Sequence, residues 1–389
     1  MRIAVARETR PGETRVALVP ELVGKLTALG YQVTVERDAG RGSLHPDAAY
    51  AAAGAEVSEA AFVDADVIVS VNPLDASLVR QLPAGTSVIS FLPTAANPEL
   101  VADLRDCGIT AYAMELVPRI SRAQAMDALS SQALVAGYRC AVVAAGMLRR
   151  FFPLNMTAAG TVPPAEVVVL GAGVAGLQAI ATARRLGAVV KAYDVRAASA
   201  EEIRSLGAQA IELDLETLEG AGGYAREMTE ERAARQKELL TPYVAAADAL
   251  ITTAAVPGRR APLLVTAAMV EQMAPGAVVV DLAAESGGNV EGSVPGEVVR
   301  IGNAQVWGGL NVPAQLPQPA SRLYAQNVVN LVTLMTRDGA FDPDPTDEIV
   351  AGACVTRGGL ILHEPTRLAI EGPLPEPEPV VVHTEGGRP

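Results

Sequence analysis

The chain has 389 residues, half of them hydrophobic and only 4% aromatic, with 31 basic against 44 acidic residues and a formal net charge of −13. That length accommodates two or three domains with cores of Ala, Val, Leu and Ile, which suits layered α/β folds. The negative charge excludes the basic surface that nucleic-acid binding requires.

Cys107, Cys140 and Cys354 are widely spaced and carry no zinc pattern, so reduced, buried thiols in a cytosolic protein are expected. The opening MRIAVARETR is strand-like and lacks the apolar core of a signal peptide. No apolar run is expected to reach membrane-spanning length, so the chain reads as soluble by itself.

Residues 2–117 alternate strand and helix. Strands are predicted at Ile3–Ala6, Gln32–Glu36, Val67–Val71, Val88–Leu92 and Ile109–Ala113. Helices fall between them, one opened by Pro20 and closed by Gly30, as Pro at N1 and Gly at C′ should do. This predicts a parallel, doubly wound domain without a glycine phosphate loop. His45 lies in a Leu-His-Pro-Asp turn and reads as a turn residue.

Residues 119–132 (RISRAQAMDALSSQ) are dense in hydrogen-bonding side chains and run into a long apolar helix. Spacing alone fits two readings of Arg119, Arg122, Gln124 and Asp127: a solvated loop with a helix cap, or a functional loop. Residues 152–165 are rich in Pro, Ala and Gly and read as a linker.

The strongest signal is Val167 to Arg196. A β-branched strand, Val167–Leu170, leads into Gly171, Gly173 and Gly176 at G-x-G-x-x-G spacing. A helical stretch to Leu186, a second strand and Asp194 follow. Gly171 permits the sharp turn, Gly173 lets a pyrophosphate approach the backbone, and Gly176 lets helix and strand pack closely. Asp194, beside Val195 and Arg196, stands where a carboxylate accepts from the adenosine ribose, which favours NAD over NADP. Arg196 complicates that preference, because an arginine there can take a 2′-phosphate.

Beyond it, Glu216–Tyr224 holds three glycines and reads equally as a mobile flap or a surface loop. Ala249–Ile251 leads into a turn expected to face the nicotinamide half. Val278–Asp281 and Val306–Leu310 are further strands, and Ser321–Thr336 is a helix returning to the first domain. The expected division is 1–140 with 325–371 as one Rossmann-like domain and 150–320 as the nucleotide-binding one. Residues 372–389 form an extended Pro/Glu tail. The fold class is therefore α/β, two doubly wound Rossmann-like domains with parallel sheets separated by a cleft.

RISRAQAMDALSSQ, MTAAGTVPPA (156–165), GVAGLQAIATARRLGA (173–188), AGGYAREM (221–228) and AESGGN (284–289) together resemble the alanine dehydrogenase/transhydrogenase superfamily. Within it they resemble the NAD(H)-binding domain I, on the alpha subunit, of proton-translocating NAD(P) transhydrogenases. The resemblance implies an Si/Re-specific transhydrogenase that is catalytic only with its partner subunits.

It implies that Arg119, Gln124 and Asp127 line the place where two nicotinamides meet. Ile120, Ser121, Arg122 and Ser130 would lie in the same coenzyme loop. Val174 would pack at the pyrophosphate turn, Gly223 and Tyr224 would belong to a closing loop, and Gln236 and Ala255 would touch the coenzyme. It further implies a homodimer on the cytoplasmic face of the membrane. NADP(H) would sit on a beta subunit, and separate membrane-spanning subunits would carry protons. The chain ends at Pro389 without such segments, which reads as the split, soluble form.

Two rivals are an alanine dehydrogenase-like amino-acid dehydrogenase and a non-catalytic NAD sensor. The first needs a lysine and a histidine. The segments that carry them in that family are here Val71-Asn72-Pro73 and Leu92-Pro93-Thr94-Ala95-Ala96, and Glu285 stands for an aspartate. Arg15 survives from the common pattern, with packing or ion pairing as its expected role.

Overall fold

The structure is a computed structural model that describes residues 1–215, 229–256 and 259–372. Two large sheets organise the chain. The first runs, edge to edge, through Leu360–Ile361, Cys354–Arg357, Thr110–Ala113, Ser87–Ser90, Val67–Val69, Arg2–Val5, Gln32–Glu36 and Glu56–Ser58. From Glu56–Ser58 inward to Thr110–Ala113 the strands are parallel, in the 3-2-1-4-5-6 order of doubly wound folds.

The second sheet repeats that order with Gln209–Ala210, Val189–Tyr193, Glu166–Leu170, Ala249–Thr252, Val278–Asp281 and Ala304–Gly308. Val298–Ile301 forms its far edge. The middle strands are buried on both faces, which explains runs such as Val167–Leu170 and Val278–Asp281 that show no alternation.

The expectation of purely parallel sheets needs correcting at the edges. Val298–Ile301, Cys354–Arg357 and Leu360–Ile361 are antiparallel. Each is short and joined to a neighbour by a tight turn, so none needs a crossover helix. The stretch 152–165 is more than a linker: Asn155–Thr157 and Gly160–Val162 form an exposed hairpin.

The returning helix begins at Pro317, four residues before the expected start, with Pro317 in its first turn. Proline fits there because a first-turn N–H has no intrahelical acceptor to lose. Its buried face, including Tyr324 and Val328, joins the core of the first sheet, and the Tyr324 hydroxyl donates to the Ser70 carbonyl at 2.8 Å.

The helix Ala128–Met147 corrects another expectation. It has 20 residues and a mean hydropathy of 1.2, enough by length and composition to cross a membrane. Here it packs between the helices Val174–Arg185 and Pro317–Leu334 as a core element bridging the two sheets. Gly137 sets how close it comes: a methyl carbon there would lie 2.1 Å from the Ala175 carbonyl oxygen.

Candidate functional site

The glycine turn sits at the carboxyl end of Glu166–Leu170. Gly171 adopts φ 100°, which only glycine takes without strain. A methyl carbon at 176 would lie 1.9 Å from the Gly171 carbonyl oxygen, so helix and turn are in contact there. Gly173 differs, because a methyl carbon there would meet nothing within 4 Å among the described residues. It is the N-cap of Val174–Arg185, and among the described residues no side chain caps that helix. Open backbone donors, a positive dipole end and free space fit a coenzyme pyrophosphate.

Asp194 steadies the same turn. Its Oδ2 accepts from Ala172 N at 2.7 Å, and its Oδ1 accepts from Arg196 N and Nε at 2.9 Å each. Arg196 Nη2 adds a bond to Oδ2 at 3.1 Å, so Arg196 is committed to the carboxylate two residues away. Val195 between them is half-buried. Ala255 is exposed beyond the carboxyl end of Ala249–Thr252. Gln236 is 2% exposed, and its side-chain amide nitrogen has no hydrogen-bond partner among the described residues. Gly223 and Tyr224, with all of Glu216–Tyr224, lie outside the described residues.

The polar loop forms a short 3-10 helix, Ser121–Met126, beyond the carboxyl end of Thr110–Ala113. Arg119, Ser121 and Gln124 are exposed, and Ile120 is partly buried. Asp127 caps the bridging helix, accepting from Ser130 N at 2.9 Å and from Ser130 Oγ at 2.7 Å. Ser130 stands two turns from Gly137, about 10 Å along the axis, so the bridging helix links this loop to the glycine turn. Arg122 points elsewhere: it makes a two-pronged pair with Asp347 (2.8 and 3.0 Å) and reaches Glu348.

Between the carboxyl edges of the sheets lies a buried polar network. Arg15 and Glu13 form a pair at 2.7 Å with side chains 8% and 1% exposed. Burial alone would raise the Glu13 pKa. The hydrogen bonds and charge of Arg15 outweigh it and bring the group down to about 2. Arg15 also reaches Gln132 (2.9 Å) and Asn311 (3.3 Å), and the Asn311 amide returns to Glu13 at 3.1 Å. Asn311 N donates to Glu285 Oε2 at 2.7 Å. Asn72 donates through its amide to Glu8 (2.8 Å) and Glu13 (3.0 Å). Burial holds Glu8 above the ordinary carboxylate value. Among the described residues no lysine or histidine takes part, and no group of acidic, histidine or cysteine side chains could hold a metal ion.

The family described as "Alanine dehydrogenase/PNT, N-terminal domain" matches residues 4–136, and its C-terminal counterpart matches 140–364. The chain belongs to the alanine dehydrogenase/PNT family. Within that family it is 47% identical to the first of the pieces that make up NAD(P) transhydrogenase subunit alpha of Rhodospirillum rubrum, covering 93% of this chain and 98% of that one. It is 30% identical to alanine dehydrogenase of Mycobacterium tuberculosis over 98% of this chain and 100% of that one. The crystal structure of transhydrogenase from Sinorhizobium meliloti superposes with a TM-score of 0.82 at 43% identity, over 93% of this chain and 99% of that one.

One pair in this alanine dehydrogenase/PNT member was not singled out by sequence reasoning. Asp281 is fully buried and gathers Thr252 Oγ1, Ala283 N, Asn289 N and Val290 N. Asn289, also fully buried, clamps the carbonyls of Ala254 and Pro262 at 2.8 Å each. Together they fix the turn after Ala249–Thr252. The available signal was an aspartate at the end of an otherwise apolar strand.

Proposed function

We propose that this chain is the NAD(H)-binding subunit of a proton-translocating transhydrogenase. Hydride passes directly between NAD(H) held here and NADP(H) held by a partner beta subunit, and membrane-spanning subunits couple the transfer to proton flow. The observation that carries this reading is the cleft itself. The nucleotide turn is intact, while the segments matching those that carry a catalytic lysine and histidine read Val71-Asn72-Pro73 and Leu92-Pro93-Thr94-Ala95-Ala96, with Val71 at the lysine's place, Pro93 at the histidine's, and Asn72 bonded to Glu8 and Glu13. An amino-acid dehydrogenase must move substrate protons, and among the described residues this cleft holds no lysine or histidine to do so. Transfer between two nicotinamides needs orientation, close approach and exclusion of water instead.

In this reading Gly171, Gly173, Val174 and Gly176 receive the pyrophosphate, and Asp194 with Val195 receives the adenosine ribose. Arg196, turned onto Asp194, supports NAD(H) over NADP(H) in this chain. Gln236 and Ala255 complete the coenzyme's surroundings. Arg119, Gln124, Asp127 and Ser130 hold the reacting end, and Gln124 reaches across to the partner's nucleotide. Arg122 contributes by tethering the loop.

The test is mixing the purified chain with an NADP(H)-binding partner domain and following NADH-dependent reduction of an NADP analogue. Gln124→Asn, which withdraws the amide by one methylene, is expected to slow transfer about 10- to 100-fold. A variant as fast as the parent would remove Gln124 from the site.

The proposed assembly is a homodimer, peripheral on the cytoplasmic face of the membrane through its partners. The hairpin arm supports the dimer, because Phe151, Leu154 and Met156 are 57%, 53% and 74% exposed. Apolar side chains clustered in this way mark interaction surfaces. Met156→Glu is expected to shift sedimentation toward the monomer, and an unaltered dimer would take the arm out of the interface.

A further inference from the structure

The carbonyl of Ala125, the residue after Gln124, accepts two side-chain hydrogen bonds. Asn327 Nδ2 donates at 2.9 Å and Asn330 Nδ2 at 2.8 Å. Both asparagines lie on Pro317–Leu334, one turn apart and on one face. Each is oriented by a further donor.

Behind Asn327 runs a mostly buried relay. Arg15 Nη1 donates to Gln132 Oε1 (2.9 Å), and Gln132 Nε2 donates to Ser131 Oγ (3.2 Å). Ser131 Oγ donates to Asn327 Oδ1 at 2.7 Å, the shorter of its two contacts, with Ala128 O at 3.1 Å. Arg15, Gln132 and Asn327 are 7%, 5% and 7% exposed. Behind Asn330 runs a shorter relay at the surface. Lys25 Nζ donates to Gln326 Oε1, and Gln326 Nε2 donates to Asn330 Oδ1, each at 2.7 Å.

We propose that Asn327 and Asn330 are positioning residues that fix the backbone of the Gln124 loop for hydride transfer, with Arg15 and Lys25 at the heads of the relays that orient them. This rests on the transhydrogenase reading above. Donors aligned in one direction from a cation polarise one another, which strengthens the terminal bonds. Two donors on one carbonyl also restrain its direction as well as its position. Gln124 itself is exposed on a short 3-10 helix, so its reach is set by its backbone, which these two bonds hold together with the Arg122 tether and the buried Ala123 and Met126. The relay also gives Arg15 a role in a cleft that has no substrate proton to move.

The experiment uses the full chain mixed with the NADP(H)-binding partner domain. It measures NADH binding by nicotinamide fluorescence, thermal unfolding, and transfer rate with both nucleotides saturating. Asn330→Ala is the main variant, because it is partly exposed and alanine favours a helix over asparagine. Asn327→Leu is the buried counterpart. Asn330→Ala is expected to keep the melting temperature and the NADH dissociation constant within about threefold of the parent, while slowing transfer about tenfold or more.

Transfer equal to the parent in both variants would overturn the proposal. So would a loss of rate matched by an equal loss of NADH binding or of stability, since that is what a purely structural role gives. If the unsubstituted chain itself transfers no hydride, the transhydrogenase reading fails first, and that outcome is distinct from either variant result.

Discussion

Gly176→Ala is expected to lower both stability and coenzyme binding, whereas Gly173→Ala should lower binding alone. At 176 the new methyl carbon would lie 1.9 Å from the Gly171 carbonyl oxygen, so one element must move. Gly171 cannot retreat toward the neighbouring strand, because Thr253 Oγ1 and Ala254 N already stand 2.8 and 3.0 Å from where its own Cβ would be. Overpacking of this kind costs about 1–3 kcal/mol, and the shift disturbs the turn that Thr253 Oγ1 holds by donating to the Gly171 carbonyl. NADH affinity is expected to fall about tenfold or more, as 1.4 kcal/mol corresponds to one decade.

At 173 the methyl carbon meets nothing within 4 Å among the described residues, and φ −74° suits alanine. Stability should therefore hold or rise by a few tenths of a kcal/mol, while the pyrophosphate loses its approach. Urea unfolding and NADH fluorescence titration read the two effects separately. Equal binding in Gly173→Ala and the parent would refute the placement of the pyrophosphate.

Arg15→Leu should be the most destabilising single change in the cleft. It leaves the Glu13 carboxylate, 1% exposed, without its cation. Breaking a buried pair from one side costs about 3–5 kcal/mol. The pH dependence follows from the same pair. In the folded chain Glu13 is held down to about 2 from an ordinary 4.5. Its contribution to stability is therefore present above pH 4.5 and is lost as pH falls through that value toward about 2.

Glu8 and Glu115, raised by burial, have the opposite sign. Each favours the folded chain below the ordinary carboxylate value and loses that contribution as pH rises through its folded pKa. Removing Arg15 takes away the charge and side-chain bonds that hold Glu13 down, so Glu13's share of the acid limb should shrink and the variant's deficit should be smaller at low pH than at neutral pH. Pairing the change with Glu13→Gln should recover much of the loss, since no uncompensated charge then remains. A double variant as unstable as Arg15→Leu would show that packing, and not the pair, carries Arg15's contribution.

Local signals were the legible ones. Each part of the glycine turn is decided within a few residues of itself: a β-branched strand, a glycine that must take φ 100°, a glycine in contact with the strand. The same holds for Pro20 and Gly30 around the first helix, where Gly30 takes φ 95°.

What failed to show depends on partners distant in the chain. Arg122 reads like a ligand-binding arginine until Asp347, 225 residues on, is brought against it. The returning helix is expected only from Ser321, because the effect of Pro317 and Pro319 depends on whether they fall before a helix or inside its first turn. The edge strands Glu56–Ser58, Val298–Ile301 and Leu360–Ile361 are too short for alternation to show. Asp127 is both cap and candidate site residue, and the sequence offers the same signal for either.

The first sheet is assembled from two ends of the chain, whereas the second is drawn from one continuous stretch, 166–308. During synthesis the coenzyme-binding half therefore has all its strands before the other half does. Until Cys354–Arg357 leaves the ribosome, Thr110–Ala113 is an open border offering unpaired amides and carbonyls. Translation thus delivers a finished nucleotide cradle beside an unfinished companion. The strand that removes the adhesive margin is among the last two to emerge.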